Sequence, residues 1–208
     1  MSFFIARAAA SSRPEGSHDR ADVFARGDVA VLVVADGAGG LVGAAAASET
    51  ILERTRTVVL DPTFDLLAPS FWERLFRDVD AELASRSAGE TTALVVVLAP
   101  RILLCTVAGD SEAWLVRAAA VERLTESASR ARLGSGHARP VTVLRGELEL
   151  GDRLVAATDG LFRHVSEDRL LAILRRERFG GIADALVEAA RSPSGTLADD
   201  VAVLVAEP

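Results

Sequence analysis

Aspartate recurs where apolar runs stop. Val29 to Ala35 ends in Asp36-Gly37, Leu154 to Ala157 passes through Thr158 into Asp159-Gly160, and Leu103 to Ala108 ends in Gly109-Asp110-Ser111. A fourth run, Val201 to Ala206, is preceded by Asp199-Asp200. If these runs are strands of antiparallel sheets, the four carboxylate positions gather at one edge. There they repel one another unless a cation sits among them. Hard divalent cations such as Mg2+ and Mn2+ take oxygen ligands in this way, and two of them can share a bridging carboxylate. The glycine after Asp36 or Asp159 lets the backbone approach and turn a carbonyl toward a metal. For any one of these sites a plain turn after a strand explains Asp-Gly equally well. The four together favour the metal reading.

Other chemistries fit less well. Asp36-Gly-Ala-Gly-Gly-Leu-Val-Gly43 superficially suggests a dinucleotide-binding turn, but the third glycine of that pattern falls on Val42, and an aspartate just before the turn disfavours a pyrophosphate. The chain has no Lys, Asn, Gln or Tyr, which removes a Schiff-base lysine, a phosphate-loop lysine and a tyrosine acid. Cys105 is the lone cysteine and lies inside an apolar run; a thiol phosphatase loop would need an arginine where Ser111 stands. It reads as a buried core thiol, and His137 and His164 read as surface residues.

Composition sets the frame for these residues. The chain has 208 residues, 50% apolar and 25% charged, which suits one domain spanning 1–208. Its 23 basic and 30 acidic side chains leave a net charge of −7, so no nucleic-acid partner is expected. A single cysteine points to a reducing compartment. The N-terminal apolar segment is short and broken by Arg7, and no run approaches a membrane span. The expectation is a cytoplasmic monomer with no membrane partner.

The elements that must carry the aspartates alternate in blocks. Short runs rich in β-branched residues predict strands at Phe3 to Ala10, Val29 to Ala35, Thr92 to Ala99, Ile102 to Ala108, Ala113 to Val116, Arg153 to Ala157 and Val201 to Ala206. Several are apolar at nearly every position, so both faces must be covered. Helical spacing predicts covers from about Gly43 to Val59, from a capping box at Ser70 and Glu73 onward, after Ser166, and after Gly180-Gly181. Thr125 to Pro140 reads as a polar loop. Grouped strands between helices predict an antiparallel α+β fold, sheet packed on sheet with helices outside.

Val34-Ala-Asp-Gly-Ala-Gly-Gly40, Gly89-Glu-Thr-Thr-Ala93, Val107-Ala-Gly-Asp-Ser111, Gly151-Asp-Arg-Leu-Val-Ala-Ala-Thr-Asp-Gly-Leu161 and Ala198-Asp-Asp-Val-Ala-Val203 resemble, in order and spacing, the successive motifs of type-2C metal-dependent protein serine/threonine phosphatases. The resemblance covers almost the whole chain. It implies a four-layer α-β-β-α sandwich with a binuclear Mn2+ or Mg2+ centre, whose metal-bound water hydrolyses phosphoserine and phosphothreonine in proteins. The phosphorylated substrate would come from a cytoplasmic Ser/Thr kinase. By the same resemblance Asp36 bridges the metals, Gly37 offers its carbonyl, Asp159 and Asp199 complete the first metal's shell, and Asp110 binds an additional ion. Arg13 would grip the phosphate, with Asp19, 17 residues before Asp36, serving the metal waters.

The chain departs from the family pattern at several points. Ser17 and His18 replace the first two members of the triplet ending in Asp19, and Arg13 lies one residue further from Asp19 than the pattern has it. Asp200 stands where Asn is usual, adding charge beside the site. Ala38 replaces the usual Met or His, and Leu124 to Gly151 is short, which implies a reduced flap. These departures leave two alternatives open: a catalytically weak domain of the same fold that senses a partner, and a metal-dependent phosphoesterase of small substrates.

Overall fold

Alternation along each strand decides how the sheets stack. The computed structural model describes residues 3–14, 16–38, 41–118, 120–125 and 130–208. One sheet comprises β2 (Asp19–Arg26), β3 (Val29–Ala38), β5 (Ala93–Ala99), β6 (Ile102–Ala108) and β9 (Val141–Arg145) in that spatial order, with β4 (Glu90–Thr91) paired to the end of β3. The other runs β1 (Phe4–Ala10), β11 (Val201–Glu207), β10 (Arg153–Ala157), β7 (Glu112–Val116) and β8 (Val121–Arg123). The pairings are antiparallel throughout.

The continuous apolar runs are now explained. In β3, Leu32 and Val34 point into the layer between the sheets with Leu94, Val96, Cys105, Leu115, Leu154 and Leu204. Val31, Val33 and Ala35 point the other way, against α1 (Leu41–Leu60) and α2 (Pro69–Arg86). The second sheet is covered by α3 (Asp159–Phe162), α4 (Glu167–Arg176) and α5 (Phe179–Ala189), which pack on Val155, Ala157, Val203 and Val205. A strand covered on both faces has no solvent side, so period-2 polarity disappears from its sequence. Trp72 and Phe76 of α2 are wholly buried, and the Trp72 indole N–H donates to the Leu66 carbonyl at 2.8 Å. The expected α+β sandwich, helices outside two antiparallel sheets, is the observed fold.

Several local expectations are corrected. The capping box at Ser70 does not form: α2 starts one residue earlier, with Pro69 in its first turn and Ala68 as a cap without a side-chain bond. Proline, already lacking the N–H that a first turn leaves orphaned, replaces the cap's service. Gly180 and Gly181 lie inside the first turn of α5, and α1 begins at Leu41, ahead of Gly43. At Asp159-Gly160, where a plain turn was the alternative reading, the chain instead opens α3. Strands β2, β8 and β9 were not expected; they are edge strands whose residues are mostly half-buried or exposed. Within Thr125 to Pro140, positions 126–129 lie outside the described residues, as do Gly39 and Gly40 of the glycine run.

Topology places the aspartates. Antiparallel β5 separates β3 from β6, so β3 and β6 run the same way and end at one edge. In the other sheet Ala157 pairs with Val203, which sets the end of β10 beside the start of β11.

Candidate metal centre

Asp36 sits near the end of β3, and its backbone is fixed from two sides. Its N–H donates to Thr92 Oγ1 at 2.8 Å; its carbonyl accepts from the Thr92 N–H at 2.8 Å and from the Thr91 hydroxyl at 3.1 Å. Thr92 Oγ1 also lies 2.7 Å from Ser111 Oγ, the neighbour of Asp110. One hydroxyl pair thus ties the two aspartate-bearing loops together. The next residue must be glycine: a Cβ on Gly37 would lie 2.2 Å from the Ala44 carbonyl oxygen of α1. Gly160 is equally constrained, its Cβ falling 1.9 Å from the Asp200 carbonyl oxygen. The sequence reading assigned these glycines to turning a carbonyl; the structure adds close helix and strand packing as a separate requirement.

Asp36, Asp110 and Asp159 converge, each offering a carboxylate oxygen within 4.8 Å of the others. Asp36 and Asp159 border a cavity of about 390 Å³ whose lining includes Gly37, Asp199, Arg13, His18, Arg132 and Arg163. Asp199 is on the cavity wall but outside the group of three, and it accepts the Asp200 N–H at 2.9 Å. Asp19 faces Asp36 across the β2–β3 register.

Crowded, partly desolvated carboxylates resist ionisation. Burial, then the charges of Asp110 and Asp36, push the Asp159 carboxyl up to about 6. Burial, with Asp36 adjacent, pushes Asp19 up to about 9. Burial also raises Asp36, although Arg132 opposes the shift. Arg163 donates to Asp110 at 2.8 Å and pairs with Asp159 at 2.5 Å, while Arg132 lies 3.9 Å from Asp36 and 3.7 Å from Asp110. One oxygen of Asp110 is buried and has no hydrogen-bond partner among the described residues. An orphaned oxygen on a residue that converges with two further carboxylates fits a hard divalent cation, which would satisfy it and relieve the repulsion.

At the cavity mouth Arg13 Nη1 donates to His18 Nδ1 at 2.5 Å. Arginine offers only donors, so Nδ1 is the acceptor and a neutral His18 carries its proton on Nε2. Asp200 is a charge beside the site, as expected, and its field helps raise the Asp19 carboxyl. It is 2% exposed and accepts from the Ser12 N–H and hydroxyl, both at 2.8 Å, from the Ser11 hydroxyl at 3.3 Å and from the His18 N–H at 2.9 Å. Burial would raise its pKa, but the Ser12 and His18 N–H groups outweigh that and hold it below the ordinary carboxylate range. Its work is to lash the segment carrying Arg13 and His18 to the start of β11.

Sequence reasoning missed Arg132, Arg163, Ser111 and Asp80. Arg163 had a signal, since it follows Asp159 at the four-residue helical spacing. Arg132 had none. Its loop is held by Asp80 of α2, whose carboxylate accepts the N–H groups of Gly134 at 2.7 Å, Gly136 at 2.9 Å and Ala138 at 3.0 Å.

The sequence model of the family described as stage II sporulation protein E (SpoIIE) matches residues 26–208, leaving Arg13 and Asp19 outside the match. No curated protein matches the chain. Among solved structures, the S. agalactiae serine/threonine phosphatase is 17% identical over 99% of both chains with a TM-score of 0.85. The Mycobacterium tuberculosis serine/threonine phosphatase PstP/Ppp is 22% identical over 100% of this chain and 99% of its own, with a TM-score of 0.80. The PstP catalytic domain in complex with two manganese ions is 21% identical over 99% and 97%, with a TM-score of 0.75. At these identities the likeness establishes the fold.

Proposed function

The chain belongs to the SpoIIE family, and from that premise we propose that it is a metal-dependent protein phosphatase acting on phosphoserine and phosphothreonine. One observation carries the reading: Asp36 at the end of β3, Asp110 after β6 and Asp159 at the start of α3 each bring a carboxylate oxygen within 4.8 Å of the others, and one oxygen of Asp110 has no hydrogen-bond partner among the described residues. Asp36, the Gly37 carbonyl, Asp159 and Asp199 would hold two Mn2+ or Mg2+ ions, and Asp110 an additional one. Bound there, divalent cations supply Lewis acidity and a water acidic enough to attack phosphorus at neutral pH. The manganese in the PstP structure supports the choice of metal, and the serine/threonine phosphatases of the same fold support the substrate class.

The chain's own residues do the rest. Thr91, Thr92 and Ser111 hold Asp36 and Asp110 in register, and Asp19 braces Asp36 from the neighbouring strand. Arg13 and Arg132 line the cavity that would receive the phosphate. The substrate would be a phosphoprotein made by a cytoplasmic Ser/Thr kinase; a lone cysteine in the sheet interlayer suits a reducing compartment. Among the described residues no helix is long and apolar enough to cross a membrane.

The test is phosphate release from a phosphoserine or phosphothreonine peptide with Mn2+, with Mg2+ and with excess chelator. Release with either metal that stops on chelation is expected. Undiminished release in chelator refutes the metal mechanism, and no release with either metal leaves the partner-sensing reading in its place.

A further inference from the structure

We infer that Arg132 is the principal phosphoryl-gripping side chain of the cavity, in preference to Arg13. The inference rests on the reading above that the cavity receives a phosphoryl group.

Three guanidinium groups line the cavity, and they differ in how far their donors are already spent. Arg163 is committed to two carboxylates, at 2.8 Å and 2.5 Å. Arg13 is committed to His18 at 2.5 Å. Among the described residues Arg132 makes only long ion pairs, 3.9 Å to Asp36 and 3.7 Å to Asp110, beyond hydrogen-bonding distance. Its Nε is buried and has no hydrogen-bond partner among the described residues. A buried donor left unpaired costs stability, so a fold that keeps one at a site does so against a gradient. A tetrahedral oxyanion is the ligand such a group fits, because two of its oxygens match the guanidinium fork.

The position of Arg132 is built rather than incidental. Leu133 is fully buried among α1, α2 and the β3 sheet. It exchanges both backbone hydrogen bonds with Thr91, each at 2.9 Å, and Thr91 is the residue that also holds the Asp36 carbonyl. Gly134 follows at φ +98°, packed so that a Cβ would lie 2.3 Å from the Gly89 carbonyl oxygen. Beyond it, Asp80 takes the three N–H groups already described. Arg132 is therefore fixed to the same frame as Asp36. The competing account is that Arg132 merely neutralises Asp36 and Asp110, and it makes a different prediction: removing the arginine would then tighten metal binding and leave oxyanion binding alone.

The experiment is isothermal titration calorimetry of the full chain in Mg2+, with inorganic phosphate as the probe. It compares wild type, Arg132→Gln, Arg132→Lys and Arg13→Ala, with a Mg2+ titration of each in the absence of phosphate and a melting curve for folding. Arg132→Gln is expected to weaken phosphate binding by about 10- to 100-fold, the range a charge-assisted pair supplies, with Arg132→Lys recovering part of it. Arg13→Ala is expected to change it by less than about 3-fold, since only a fraction of a hydrogen bond's worth is lost. Unchanged phosphate affinity in folded Arg132→Gln, tighter Mg2+ with phosphate unaltered, a larger loss in Arg13→Ala, or no phosphate binding by the wild type would each overturn the inference. Phosphate binding through Arg132 in a protein that releases none from a phosphopeptide would sink the proposed phosphatase activity and leave the inference standing. Hydrolysis that persists with unaltered phosphate affinity in Arg132→Gln would do the reverse.

Discussion

Replacing Asp80 with alanine removes one carboxylate and strands three backbone donors, those of Gly134, Gly136 and Ala138. Hydrogen bonds to a charged acceptor contribute about 1.5–3 kcal/mol each. Asp80 is 6% exposed, while the bonds it accepts are only partly buried, so water recovers some of the loss. A net cost of about 3–5 kcal/mol is expected, a large part of the 5–15 kcal/mol that holds a domain folded. For a chain of this length that lowers Tm by about 6–20 °C. Asp80→Asn should be milder, about 1–2 kcal/mol, because the amide can place its oxygen toward Gly134 and Gly136 and forfeits only the bond from Ala138. Thermal unfolding of the two variants measures both numbers, and phosphate calorimetry on the folded fraction reports whether Arg132 has lost its place. An Asp80→Ala Tm within about 2 °C of wild type would show that Leu133 and its Thr91 bridge hold the loop unaided, and the reasoning would fail.

Asp36→Asn and Asp159→Asn should each lower phosphopeptide hydrolysis by more than about 100-fold, beyond the loss that altering a ligand's supporting partners causes. Cys105→Ser should keep the chemistry: the thiol is fully buried, burial pushes its pKa up to about 12, and iodoacetamide should neither label nor inactivate the folded enzyme. Gly37→Ala places a methyl carbon 2.2 Å from the Ala44 carbonyl and should cost about 1–3 kcal/mol through displacement of α1 against β3, read by denaturant unfolding. The metal-free protein should lose stability as pH rises. Folded Asp159 and Asp19 have pKa values raised from 3.8 to about 6 and about 9, so their contribution is complete below 3.8 and disappears as pH climbs through those values. The Tm gain on adding Mn2+ should accordingly be larger at pH 8 than at pH 5; an equal or smaller gain at pH 8 contradicts the assignment.

The sequence alone determined the sandwich and the carboxylate edge. Short, unbroken, β-branched apolar runs such as Val29 to Ala35 read as strands covered on both faces; antiparallel order then brings Asp36 and Asp110 to one edge of their sheet, and the stacking of the second sheet adds Asp159. The edge strands β2 and β9 escaped because half-exposed residues such as those of Asp19–Arg26 dilute the period on which the reading depends. Ser70 misled because capping chemistry is local and Pro69 beside it satisfied the same need differently. Asp200 and Arg132 show what lies beyond reach. Asp200 was legible as a charge next to Asp199, but its structural task depends on Ser12 and His18, more than 180 residues earlier. Arg132 is placed by Asp80, over 50 residues away, and by a bridge to Thr91. Local sequence sets which residues bend, pair or bury themselves through forces acting within a few residues. Which guanidinium faces which carboxylate, and which N–H it leaves unpaired, is fixed only when distant segments close on one another, and tertiary structure alone decides it.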